Sequence, residues 1–324
     1  MPRDHFTDTQ LETFAFLRIV FGVVWLLNTW FQAQSLLSKQ FLASFSTQLA
    51  GQPNQLQDYM LSIFHGIQTV GYLPLAIAII VIDLLIALSL LTGVGMRITI
   101  WVGIIYSFFL WSSVEGMGGP YGNGSTDPGP GIVYILAFIF LGLTNAGSRL
   151  RLFRLRKSIF KERHDEVAVG LNNLVIGRML FGLLWAFDAY WKWQPYFITH
   201  VESYLIHGQQ NQPEWIIAYI QFFISIMHGI GSIAFALIVA LIETFIAISL
   251  VVGRWLEFFV PLGAVYAFGI WTTAEGWGGP YTAASTGMPD NIIGNAIIYV
   301  YIFLFLLVVY HPFRPRQPRN AIRF

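Results

Sequence analysis

Apolar residues run through this chain in long stretches, broken by short polar segments rather than by heptads or strand alternation. A membrane helix needs about 20 mostly apolar residues. Eight stretches qualify as candidates: 13–30, 71–91, 98–114, 131–144, 174–191, 233–252, 258–274 and 292–310. The spans that begin at Ile98, Phe258 and Ile292 carry no charge. The pattern therefore predicts an all-α integral membrane protein with eight transmembrane helices. Near 56–67, Leu56, Met60, Ile63, Phe64 and Ile67 recur at helical spacing with Gln57 and Asp58 between them. This predicts a short amphipathic helix on the outer side. Its counterpart, 215–227, is almost continuously apolar.

Basic residues set the expected orientation. Of 18 Lys and Arg, seven lie between Arg149 and Arg163. Four more, Arg314, Arg316, Arg319 and Arg323, lie in the tail. With Arg3, Arg97 and Arg254 they fall on one side of an eight-span layout, which places both termini in the cytoplasm of a prokaryotic cell membrane. No cleavable signal peptide is read at the N-terminus, where a polar start precedes an apolar stretch too long for one.

The chain repeats itself at an offset near 160. Arg18-Ile-Val-Phe-Gly-Val-Val-Trp25 answers Arg178-Met-Leu-Phe-Gly-Leu-Leu-Trp185. Ser62-Ile-Phe-His-Gly-Ile67 answers Ser225-Ile-Met-His-Gly-Ile230. Glu115-Gly-Met-Gly-Gly-Pro-Tyr121 answers Glu275-Gly-Trp-Gly-Gly-Pro-Tyr281. Four spans per half give both halves the same topology, a parallel repeat. The domain reading is 1–148 for the first four-helix unit, 149–168 for a basic linker, 169–311 for the second unit and 312–324 for a basic tail.

Composition narrows the function classes. The chain is 56% hydrophobic and 11% charged, against about 25% charged in a soluble domain. The absence of cysteine excludes dithiol redox chemistry and thiolate-held clusters. A net charge of +1 gives no reason to expect nucleic acid. Sparse histidines predict no metal site, and no phosphate or dinucleotide loop is present.

Charges inside a membrane are costly and are functional candidates by default. Arg18 with Asp83 and Arg178 with Glu243 are expected to form one buried ion pair per half, structural in role. Asp188 and Lys192 break the repeat, because Asn28 and Gln32 stand at the matching places. Four residues apart, they share a helix face and are able to pair. They mark either an outer-interface anchor or a working site kept in one half. The Glu-Gly-x-Gly-Gly-Pro-Tyr segments cannot continue a helix. Each is either a small-oxyanion site built from backbone N–H groups or a tight cap on the bundle.

An Arg with Gly-x-x-Trp in the first helix of each half, an acidic residue in the second and the paired Glu-Gly-x-Gly-Gly-Pro-Tyr segments resemble the DoxX-like superfamily. Within it the chain is most similar to the DoxD family, membrane subunits of thiosulfate:quinone oxidoreductase, here in tandem duplication. The resemblance implies thiosulfate oxidation on the outer face, electrons passed to membrane quinone as co-substrate, no covalently bound cofactor and a separate DoxA-like partner subunit. It would place an anion near Lys192, His200, His228, Tyr281 and the loop N–H groups. It would place a quinone ring in a lipid-accessible groove of Trp185, Trp271 and Trp277, with Asp188 or Glu275 as catalytic proton carrier. The alternative reading is a non-catalytic integral subunit that scaffolds a respiratory or other membrane complex.

Overall fold

A computed structural model describes residues 6–37, 49–122, 124–147, 149–150, 171–279 and 293–310. Among these residues the chain is all-helical: α1 (Asp8–Leu37), α2 (Asn54–Val70), α3 (Tyr72–Thr92), α4 (Met96–Ser113), α5 (Pro130–Leu143), α6 (Leu171–Lys192), α7 (Pro195–Gly208), α8 (Glu214–Ile230), α9 (Ser232–Val252), α10 (Leu256–Thr272) and α11 (Ala296–Tyr310). Five of them, α1, α3, α4, α6 and α9, are long and apolar enough to cross a membrane. The segments expected as the fourth, seventh and eighth spans form the shorter apolar helices α5, α10 and α11, of 14, 17 and 15 residues. Each meets a glycine-containing turn at one end, where the chain does not stay helical. The linker 151–168 and the tail 312–324 lie outside the described residues.

The outward faces are apolar. On α4, Ile98, Trp101 and Ile105 are 72%, 67% and 65% exposed, and on α10 Val265 is 71% exposed. Bare apolar stripes of this kind on helices that already pack elsewhere are what hydrocarbon, not water, covers. The helix faces that pack inward carry the aromatic core. Phe21, Phe138, Phe181 and Phe303 are all fully buried.

Helix pairing follows the same scheme in both halves. α1 packs on α3 and α6 on α9; α4 packs on α5 and α10 on α11. α1 meets α11, α5 meets α6, and α5 meets α11, so these four helices join the halves. Phe21 stacks on Tyr301 at 4.8 Å across that seam. Bonds recur at a separation of 160. Tyr59 and Ser112 hydroxyls meet at 3.2 Å, as do those of Tyr219 and Thr272 at 2.9 Å. Gln52 Nε2 donates to the Gly116 carbonyl, and Gln212 Nε2 to that of Gly276.

The amphipathic stretch at 56–67 lies in α2, with Met60 and Ile67 buried on one face. α7 was not singled out by periodicity. Pro195 at its first turn is the sequence signal that marks it, since proline is preset for that position.

Candidate functional site

α6 presents Trp185, Asp188 and Lys192 on one face at spacings of three and four, and all three are buried. Glu243 comes from α9, Tyr266 from α10 and Tyr299 from α11. The Tyr266 hydroxyl donates to Glu243 Oε1 at 2.8 Å. Lys192 Nζ stands 4.0 Å from the same oxygen and 5.0 Å over the Phe197 ring. Lys192 therefore turns to Glu243 on the neighbouring helix, and the pair with Asp188 on its own helix does not form within 4 Å. Two carboxyls and one ammonium thus share one buried region, with the Tyr299 hydroxyl facing Asp188.

The first half has Trp25, Asn28, Gln32, Asp83, Tyr106 and Tyr134 at the corresponding places. There Tyr106 donates to Asp83 at 3.0 Å, with the Trp25 indole beside the same carboxylate. No atom of Trp25, Asn28, Asp83 or Tyr134 is both buried and unpartnered. In the second half the matching set differs. Trp185 Nε1, Asp188 Oδ1, Glu243 Oε2 and the Tyr299 hydroxyl are all buried and reach hydrogen-bonding geometry with no group of the protein. Native interiors pair nearly all such atoms, so four together on three helices distinguish this half.

The two expected Arg–carboxylate pairs are not formed. Arg18, fully buried, donates instead to the carbonyls of Ala146, Arg149 and Leu150 at 3.3, 3.4 and 2.9 Å. Arg178 donates to the Tyr310 hydroxyl. The reason is depth. Each guanidinium lies against the glycine that ends the helix of its supposed partner, Gly93 or Gly253. That glycine is ten residues, about 15 Å, beyond Asp83 or Glu243. A Cβ at Gly93 or Gly253 would stand 2.3 Å from the arginine Nη1. Both positions also have φ near +75° and +77°, which suits glycine. The arginines thus sit at C-terminal helix ends, where carbonyls are unpaired and positive charge is favoured.

The glycine-rich segments resolve as caps. Glu115 accepts from the Gly131 N–H at 3.0 Å. Glu275 accepts from those of Asn295 and Ala296 at 3.1 and 3.0 Å. Each glutamate holds the N-terminus of the helix that follows its loop. The Gly118, Gly119, Gly278 and Gly279 N–H groups close the turn on the Glu115, Gly116, Glu275 and Gly276 carbonyls. These donors are turned inward, so they do not form an oxyanion site. Glu275 is likewise tied to a helix end and not placed as a proton carrier beside Asp188.

Burial pushes the Glu275 carboxyl up to about 8; Ala296 and Asn295 N–H groups oppose this and Asp127 adds to it. The folded chain then holds a proton that the unfolded chain releases near 4.5. Stability from this group is full below that value and is lost as pH rises through about 8, with a slope of at most about 1.4 kcal/mol per pH unit. Melting temperature in detergent should fall across pH 5–8, and the fall should flatten in Glu275→Gln. An unchanged slope in that variant would contradict the assignment.

The remaining expected site residues are dispersed. Trp185 is 2% exposed, packed against Tyr266 and Tyr299, and cannot line a lipid-accessible groove. Trp271 and Trp277 pack at 5.3 Å with tilted rings in a separate cluster with Trp215 and Tyr219. His200 stacks on Tyr196 at the surface, and His228 Nε2 meets Glu202 at 3.1 Å. Neither joins Lys192, because α7 and α8 carry them on outward faces. Tyr281 lies outside the described residues.

Sequence reasoning passed over Tyr266, Tyr299 and the loop that covers one end of α6. Tyr121 stacks on Trp191 at 5.9 Å, and the Tyr204 hydroxyl donates to the Gly124 carbonyl, so a first-half loop lies against α6 and α7. A cavity of about 210 Å³ remains there, walled by Trp191, Tyr196, Phe197 and Tyr204. The repeat of Tyr106 at Tyr266, 160 residues on, was the available signal for the first of them. Comparison with family models, with curated proteins and with solved structures finds no match to this chain.

Proposed function

We propose that the chain is a duplicated membrane protein of two parallel four-helix units, with α5, α10 and α11 completing eight spans. In this reading both termini face the cytoplasm of a prokaryotic cell, and α2 and α8 lie along the outer surface. The recurrence of side-chain bonds at one fixed separation supports the duplication. Lengths of 14 to 17 residues, about 21–26 Å of helix, cross the hydrocarbon once the capped turns at their outer ends are added.

Its function, we infer, is that of the membrane subunit of a quinone-linked oxidoreductase, with the working site in the second half. The observation that carries this is the buried set Asp188, Lys192 and Glu243, present where the first half has Asn28, Gln32 and Asp83. A buried carboxyl with an oxygen left unpartnered can exchange a proton with a reduced or oxidised ring. In this reading the cavity beside Trp191, three residues along α6 from Asp188, is the way in from the side taken as outer. Lys192 already faces Glu243, so thiosulfate would be held by a partner subunit and not by this lysine. The DoxD resemblance supplies the thiosulfate and quinone chemistry, and both remain part of the proposal.

Quinone reduction by membranes that contain the chain, with and without thiosulfate, tests the reading. It predicts thiosulfate-dependent reduction that disappears when the chain is removed. Reduction that persists without the chain would overturn it. The second reading, a scaffold subunit, is favoured by the matched Gln, Tyr and Glu bonds of both halves, which are structural.

A further inference from the structure

At 3.6 residues per turn, α8 divides into three faces. Ile216, Ile220, Ile224 and Met227 are buried against the rest of the chain. Gln221 and His228 lie on a polar face and meet α7 or its C-cap. Gln209 Nε2 donates to Gln221 Oε1 at 3.2 Å, and His228 Nε2 lies 3.1 Å from Glu202. The third face is apolar and bare. Trp215, Phe222 and Ile226 are 60%, 61% and 40% exposed, and spacings of seven and four put them within about 40° of one another around the helix. The first half offers the comparison. α2 and α8 are each 17 residues long and start 160 residues apart, at Asn54 and Glu214. Tyr59 and Tyr219 then match, in keeping with their equivalent hydroxyl bonds. This register differs by three residues from the one that pairs Ser62 with Ser225. In it Gln55, Ser62 and Gly66 stand where α8 has Trp215, Phe222 and Ile226, and all three are exposed. The same bare face carries no large apolar side chain at these places on α2 and three on α8.

We propose that this face of α8 is a lipid-binding surface, embedded where headgroups meet acyl chains, and that the matching face of α2 stays in water. Three observations name the occupant. First, exposed apolar surface continues past the stripe through Ile230 to Ile233, Leu237 and Leu241 of α9, a helix long and apolar enough to cross a membrane. Only the Gly231 turn separates the two helices. Second, Trp215 at the far end of the stripe has the amphipathic ring that settles at headgroup depth. Third, α8 contains no Lys or Arg, so attraction to anionic headgroups plays no part and zwitterionic lipid alone should hold it. The inference needs the chain to sit in a membrane. It depends neither on quinone chemistry nor on which leaflet is the outer one.

The chain has no cysteine, so a single introduced thiol reports its own position. The test is the rate at which a membrane-impermeant, charged maleimide labels Phe222→Cys, Gln221→Cys and Ser62→Cys. Each full-length variant is held one chain to a disc in phosphatidylcholine nanodiscs, where both leaflets are open to the reagent. The thiolate is the reacting form, and apolar surroundings disfavour it, so Phe222→Cys should label roughly tenfold slower than either of the others. If Phe222→Cys does not fold, Ile226→Cys reads the same face. Equal rates at the three positions would overturn the proposal, as would a Ser62→Cys as slow as Phe222→Cys. Slow labelling of Phe222→Cys that appears only when a disc holds two chains would give the face to a second copy, and slow labelling that needs anionic lipid would give it to charge; either result would also overturn the proposal.

Discussion

Asp188→Asn is expected to lower thiosulfate-dependent quinone reduction by about 100-fold or more, the usual loss on removing a proton-transfer group. The protein should still assemble. Asparagine is nearly isosteric, and the equivalent place in the first half is already Asn28, with Trp25 three residues before it as Trp185 is before Asp188. The Tyr299 hydroxyl faces the Asp188 carboxyl, and an asparagine amide oxygen can accept from it in the same place. The check is turnover beside helical content and melting temperature for the same preparation. Full turnover in the variant would remove Asp188 from the site; loss of folding together with turnover would make the residue structural.

Arg18→Ala is expected to cause a large loss of stability, about 3 kcal/mol or more. Three carbonyls just past the end of α5 accept from this fully buried guanidinium; the buried Ala146 acceptor left unpaired costs about 1–3 kcal/mol, and truncating the side chain adds a cavity. Lysine should not rescue it, because an ammonium cannot reproduce the fork that reaches three carbonyls. The variant Asp83→Asn should leave stability nearly unchanged, which separates this account from a buried Arg18–Asp83 pair. Thermal unfolding in detergent reads both. An Asp83→Asn protein as unstable as Arg18→Ala would restore the ion pair.

The reach of sequence reasoning is clearest at these same residues. The apolar stretches locate the helices because composition alone decides what hydrocarbon accepts. The departure at Asp188 and Lys192 is readable because the other half of the chain supplies the comparison. Pairing was misread for the arginines, since hydropathy gives a helix's identity and not the depth of each residue against its neighbour; ten residues separated Asp83 from the level of Arg18. Glu275 was misread for a different reason. The motif shows that a turn must occur, but the partner of its carboxylate, the start of α11, lies 20 residues away across a loop. Tyr299 was invisible because the loop before α11 is longer than its first-half counterpart by five residues, which hides its match to Tyr134.

The central claim is that one half works and the other supports it. The most direct measurement compares two substitutions at equivalent positions, Glu243→Gln and Asp83→Asn, in the same quinone-reduction assay with both proteins shown to be folded. The account predicts that Glu243→Gln loses most activity, because Lys192 and Tyr266 both converge on that carboxylate, while Asp83→Asn keeps it. Equal activities in the two variants, whether both high or both low, would contradict a site confined to the second half.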